Sequence, residues 1–220
     1  MTSFIYDSAD WDNYAASHLR ITSRFQHELY QACADLMQGE VVDCGCGSGK
    51  IAPYLCKNSN VTAFTGIDSS EQMITAASWL LDKLRCPNFK VALGLIEDFV
   101  GEGFNAGLSI NSFYAWRNPQ KTLGCIYKLL APNSTFVLAS TNSTIDMPAL
   151  LQEAQKELIA HPDFAGFSEQ NLAFVNNAHA HFVDIDDLVE QVRSVGFKIL
   201  ECHSHFYLGG INFLHLRKSN

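Results

Sequence analysis

The sequence has little charge and no concentration of the positive sign. Charged side chains make up 17% of the 220 residues, the 15 Lys and Arg are dispersed, and the formal net charge is −8. Neutralising a phosphate backbone takes a basic stripe, so no nucleic-acid partner is expected and a small-molecule substrate fits better. Long apolar runs are also missing: none approaches the roughly 20 residues that cross a bilayer, which argues against a membrane partner. Residues 1–7 lack the basic and apolar regions of a secretory signal, so a cytoplasmic location is expected. The seven cysteines, at 33, 44, 46, 56, 86, 125 and 202, show no repeated spacing, and reduced thiols are the simplest expectation. Cys44 and Cys46 lie closer together than the ligand pair of a zinc knuckle, so no metal site is expected.

What the sequence does have is apolar residues in ordered patterns. An apolar fraction of 47% in a chain of this length suits one domain with a well-buried core, acting as a monomer or homodimer. Residues 11–37 carry Tyr14, His18, Ile21, Phe25, Leu29 and Leu36 at mostly helical spacing, which predicts one amphipathic helix or two, as a helical cap over residues 1–38. Gln38 and Gly39 stop that pattern, and residues 40–44 read as a buried strand running straight into glycines. Helices at 50–56, 70–84 and 119–130 then alternate with strands at 61–68, 89–95, 106–110 and 134–140. The last third differs. A helix at 147–159 is followed by a polar stretch of weak periodicity at 161–177, read as part of a lid or substrate-facing insertion over 145–182. A helix at 184–195 and strands at 197–205 and 211–217 complete the chain, the two strands close enough for an antiparallel pair. The expected fold is α/β: a doubly wound, mostly parallel, seven-stranded sheet with helices on both faces and an antiparallel C-terminal strand.

In such a sheet the ligand lies outside the carboxyl ends of the strands, and the loop after the first strand must let it approach the backbone. The loop here is Asp43-Cys44-Gly45-Cys46-Gly47-Ser48-Gly49. It is not a nucleoside-triphosphate loop, because Gly49-Lys50 is followed by Ile51 and residue 44 is Cys. It also misses the dinucleotide fingerprint, whose third glycine slot holds Lys50, leaving NAD as a minor alternative. An acid beside the loop would repel a pyrophosphate and attract a cation.

Val42 to Gly49 resembles the first motif of the class I S-adenosylmethionine-dependent methyltransferases, and Gly66-Ile67-Asp68 with the following Met73 is similar to their second. The resemblance extends over residues 40–140 and implies S-adenosylmethionine as cofactor. It implies that Asp43 meets the ammonium of the cofactor's methionine end, that Gly45, Gly47 and Gly49 form the backbone cradle, and that Asp68 holds the ribose hydroxyls. Met73 would pack on the adenine or serve the core. Where relatives place an acid for the adenine amino group this chain has Leu95, leaving the backbone of Ile96 and the carboxylate of Glu97 or Asp98 as substitutes. Asn111 opens the segment after the fourth strand, where Tyr114 and Trp116 would line the acceptor pocket or pack in the core. Tyr14 and Arg20 could close over the cofactor, Arg20 pairing its carboxylate.

Methyl transfer from a sulfonium needs alignment and exclusion of water more than a nucleophilic side chain, with a base where the acceptor carries a proton. His179 and His181, two apart before the last helix, could supply that base or a metal pair, or be solvent-exposed. The implied function is methyl transfer to a small-molecule N, O or C acceptor. The same cofactor could instead be attacked at another carbon, giving aminocarboxypropyl transfer or cyclisation, or be bound by a non-catalytic module.

Overall fold

Strand and helix alternate along the chain, and the order of pairing places the first strand in the interior of the sheet, beside the middle one. The computed structural model describes residues 20–176 and 180–219. The elements are α1 (Arg24–Asp35), β1 (Gly39–Cys44), α2 (Ala52–Lys57), β2 (Val61–Asp68), α3 (Glu71–Leu84), β3 (Phe89–Leu93), β4 (Phe104–Ile110), α4 (Pro119–Leu129), β5 (Leu130–Thr141), α5 (Met147–Leu158), α6 (Phe164–Val175), α7 (Ile185–Val195), β6 (Phe197–His203) and β7 (Ile211–Lys218). The strands form one seven-stranded sheet in the order β3-β2-β1-β4-β5-β7-β6. Pairing is parallel from β3 to β5, and β7 runs antiparallel to both of its neighbours. This is the expected doubly wound α/β sheet with its antiparallel C-terminal strand.

Each face of the sheet carries its own apolar layer. On one, Leu123 and Ile126 of α4 and Leu188 and Val192 of α7 pack over Val42, Phe136 and Leu214. On the other, Leu29 and Cys33 of α1 and Leu55 of α2 cover Val41, Phe64 and Val137. Local chemistry sets the helix starts. Ser23 and Gln26 form a reciprocal capping box on α1, and the side chains of Ser70, Asn118, Asp146 and Asp184 cap α3, α4, α5 and α7. At the outer edge, β6 bulges between Ile199 and Glu201. Among the described residues no helix is long and apolar enough to cross a membrane.

Three sequence expectations change. The gap left between the helix expected at 119–130 and the strand expected at 134–140 is absorbed into β5: the chain passes from α4 directly into the strand, and Asn133, with φ of 61°, lies within its register shift against β4. The weakly periodic stretch after residue 161 contains a full helix, α6. Its apolar side chains do not share one stripe, because Phe167 and Phe174 line a cavity and Phe174 also packs against Tyr114 and Phe182. Finally, the cysteines are not all free: Cys56 at the end of α2 is joined to Cys86 after α3, with Cα atoms 6.6 Å apart. The sequence offers no spacing rule for that pair, because it depends on α2 and α3 packing side by side.

The bridge spans 30 residues, including β2 and α3. In the chain-entropy model a loop of that size is worth roughly 3.6 kcal/mol. Cys86→Ser is therefore expected to lower the unfolding midpoint, and reductant to lower the midpoint of the parent chain but not of the variant, as read by urea denaturation.

Candidate active site

The interior strand β1 has β2 on one side and β4 on the other, so the connections leaving it diverge and a crevice opens at its carboxyl end. The glycine loop lies across this opening. Gly45 and Cys46 both donate their backbone N–H to the Ile67 carbonyl, at 2.9 and 3.0 Å, tying the loop to β2. The Asp68 carboxylate then bridges the next turn: one oxygen accepts from the Gly47 N–H at 2.8 Å, the other from the Ser70 N–H at 2.9 Å. Asp68 thus holds the loop and the start of α3 together.

From the other side comes Ser112, which follows β4. Its hydroxyl donates to the Cys44 carbonyl at 2.9 Å and accepts the Trp116 indole N–H at 3.2 Å. A Cβ on Gly45, whose φ is 84°, would collide with the Ser112 side chain. Glycine is needed there because a neighbouring loop presses against the backbone as well as for any ligand. Gly49 is needed for a different approach, with Ala77 of α3 at 3.2 Å from where its Cβ would sit, and it does not line the cavity.

Asp43 closes the floor. It is 3% exposed, and its Oδ1 has no hydrogen-bond partner in the structure. Burial, then the nearby charge of Asp68, pushes its pKa well above the ordinary carboxylate value. A buried carboxylate oxygen left unmatched is costly, and a ligand that brings a cation or a donor to it removes the cost. An ammonium group suits that position and a phosphate does not. The thiols of Cys44 and Cys46 are held protonated, their pKa raised by burial and by Asp43, so neither is prepared as a nucleophile.

Above the floor is a cavity of about 720 Å³. Its roof comes from distant parts of the chain: Phe25 of α1, Met147 and Leu150 of α5, and Phe167 and Phe174 of α6. Phe25, Met147 and Leu150 form a buried cluster of their own, and the Arg24 N–H donates to Glu157 at 2.8 Å, joining the start of α1 to the end of α5. The region expected to be a lid thus consists of two helices over the cavity.

Of the residues singled out in the sequence, Asp43, Gly45, Gly47, Asp68, Met73, Ile96, Glu97, Asn111, Tyr114 and Trp116 line this one cavity. Asn111 adopts a left-handed backbone with φ of 53°, and its side chain accepts from the N–H and hydroxyl of Thr141 at the end of β5. One Glu97 oxygen accepts from the Thr122 hydroxyl. Trp116 is both wall and core, since it packs on Phe113 and its indole N–H is bound by Ser112. Tyr114 is 4% exposed, with Phe174 edge-on at 4.6 Å. His181 is not brought in: it is exposed, and its N–H donates to the Tyr114 carbonyl at 3.0 Å. Tyr14 and His179 lie outside the described residues. Arg20 pairs with Asp163 at 3.4 Å rather than facing the cavity.

Neither Lys50 nor Ser112 has a role in the sequence expectations, and of the two roof helices α5 was expected and α6 was not. Lys50 is 7% exposed, lines the cavity and donates to the Ile21 carbonyl before α1. A basic residue directly after the glycine loop was its available signal. For the roof, the signal was Met147, Leu150 and Leu151 at helical spacing.

Residues 37–173 match the model of the methyltransferase domain family. The trans-aconitate 2-methyltransferase of Rhizobium meliloti (strain 1021) is 26% identical over 147 residues, which are 66% of this chain and 55% of that protein, so the match spans little more than half of this relative's length. Among solved structures, a Haloferax volcanii methyltransferase in complex with the Trm112 methyltransferase activator superposes with a TM-score of 0.69 at 17% identity, over 96% of this chain and 98% of that one. A SAM-dependent methyltransferase from Aquifex aeolicus gives 0.66 at 14% identity, over 97% and 99%. With its glycine loop between two acids at the head of a seven-stranded sheet, the chain belongs to the class I S-adenosylmethionine-dependent methyltransferases.

Proposed function

We propose that the protein transfers the methyl group of S-adenosylmethionine to an N, O or C atom of a small molecule with an apolar body. The observation that carries this reading is the buried Asp43 carboxylate, with one oxygen unmatched, on the floor of a roofed cavity. The bound cofactor supplies a sulfonium-activated methyl group. Asp43 would receive its ammonium directly or through water, and the Gly45 and Gly47 backbone would run beside its methionine end. Asp68 would take the ribose hydroxyls on the lone pairs its two bonds leave over. Met73 and Ile96 offer apolar surface for the adenine, Glu97 a remaining acceptor, and Asn111 an edge beside the sulfonium. Gly49 acts indirectly, by letting α3 pack close.

The roof supports a small acceptor, because the cavity volume falls in the range of small-molecule sites and the α5 and α6 surfaces facing it are mostly apolar. Tyr114, Phe167 and Phe174 would hold the acceptor body and keep water from the displacement. Among the described residues no histidine lines the cavity, so alignment and desolvation are the chain's main means of catalysis.

Asp43→Asn is expected to weaken S-adenosylmethionine and S-adenosylhomocysteine binding by roughly tenfold or more in calorimetry, since a charge-assisted bond is lost. Burial raises the Asp43 pKa, so its contribution to the stability of the ligand-free fold is full below the ordinary carboxylate pKa and is lost as pH rises through the raised value. A cationic ligand favours the ionised acid. Affinity for the cofactor is therefore expected to rise with pH over that window in the parent protein and to lose that rise in Asp43→Asn.

For the transfer itself, acceptors drawn from a screen with methyl-labelled cofactor should yield S-adenosylhomocysteine by mass spectrometry. Methylthioadenosine as the spent product would mean attack at another carbon and would sink the methyl-transfer reading. Tyr114→Leu is expected to raise the acceptor KM severalfold while the affinity for S-adenosylhomocysteine holds.

A further inference from the structure

Two basic side chains line the cavity among the described residues, Lys50 and Arg117. Arg117 is exposed, whereas Lys50 is buried. Lys50 follows Gly49 directly, so its stem rises from the end of the glycine loop, and its Nζ donates to the carbonyl of the buried Ile21. An ammonium has three donors, and the carbonyl uses one. Among the described residues no acid compensates this cation, and burial pushes its pKa down to about 7. Keeping a charged lysine there is costly unless a ligand brings the opposite charge.

In the chain, Asp43 and Lys50 stand at the two ends of the glycine loop, an acid and a base both buried in the same cavity. The methionine end of the cofactor carries the matching pair, an ammonium and a carboxylate on one carbon. Arg20, the other cation near the start of the described chain, is engaged at the surface with Asp163, its side chain 59% exposed.

We propose that Lys50 is the binding residue for the α-carboxylate of the cofactor's methionine end, holding it with the donors left over from its bond to Ile21. The proposal rests on the reading that this cavity takes S-adenosylmethionine. It gives Lys50 a second consequence. The same ammonium touches the segment that leads into α1, so loading the cofactor tightens the N-terminal side of the roof.

Calorimetry with two probes tests it: S-adenosylhomocysteine, and its decarboxylated analogue, in which hydrogen replaces the α-carboxylate. The parent protein is expected to prefer S-adenosylhomocysteine by roughly tenfold or more. Lys50→Met should lose that preference by weakening S-adenosylhomocysteine, with the analogue's affinity kept within about twofold. Lys50→Gln, which keeps a polar group without the charge, should behave the same way and serves if the Met variant does not fold. Equal weakening of both probes would make Lys50 a strut for the Ile21 segment and overturn the proposal, as would a preference that survives either substitution. A parent protein that binds neither probe overturns the cofactor reading itself, a result distinct from binding both without preference, which overturns the role of Lys50 alone.

Discussion

Asp43 ends the interior strand β1, covered on both sides by β2 and β4, where a carboxylate oxygen without a partner costs free energy that the rest of the fold has to offset. Around it the main chain leaves little unsatisfied. The Ile67 carbonyl takes two loop N–H groups, Asp68 takes two more, and Ser112 ties the end of β1 to the segment after β4. The loop is therefore held before any ligand arrives, and the unmatched oxygen is left on a residue that lines the cavity. That is preorganisation in a specific sense: the bonds fixing the loop are protein to protein, and the unsatisfied oxygen belongs to a buried acid that lines the cavity.

How much of this could be read from the chain depended on how local each feature is. The glycine loop and the acid at the end of β2 are carried by adjacent residues, and the resemblance of those short segments to family motifs identified them. Ser112 could not be found that way, because its partner at Cys44 is 68 residues earlier and its meaning depends on β1 and β4 lying side by side. Lys50 was visible only as the residue that spoils a dinucleotide fingerprint. Its contact with Ile21 requires the segment before α1 to fold back over the loop. α6 escaped for another reason: its apolar residues serve a cavity and neighbouring rings rather than one core, so the periodicity that reveals most helices is blurred. Of the His179 and His181 pair, His181 is exposed, which is one of the readings its spacing allowed, and His179 lies outside the described residues.

Roof and floor also differ in how they are held. The floor is fixed by short hydrogen bonds and by the sheet itself. The roof rests on a small apolar cluster, Phe25 with Met147 and Leu150, and on polar links such as Arg24 to Glu157. Contacts of that kind, few and partly exposed, belong to the low-stability end of a domain, where opening costs less than global unfolding. A rigid floor under a looser cover suits a site that must keep one ligand in register while exchanging another.

The bulge in β6 bears on a different matter. An outermost strand presents unpaired backbone groups, and a flat, regular one is a template onto which a second chain can add its own strand. Here the irregularity after Ile199 breaks the spacing of those groups, and Lys198 and Glu201 put charges along the same edge. The β6 rim of the sheet is thereby protected against edge-to-edge aggregation.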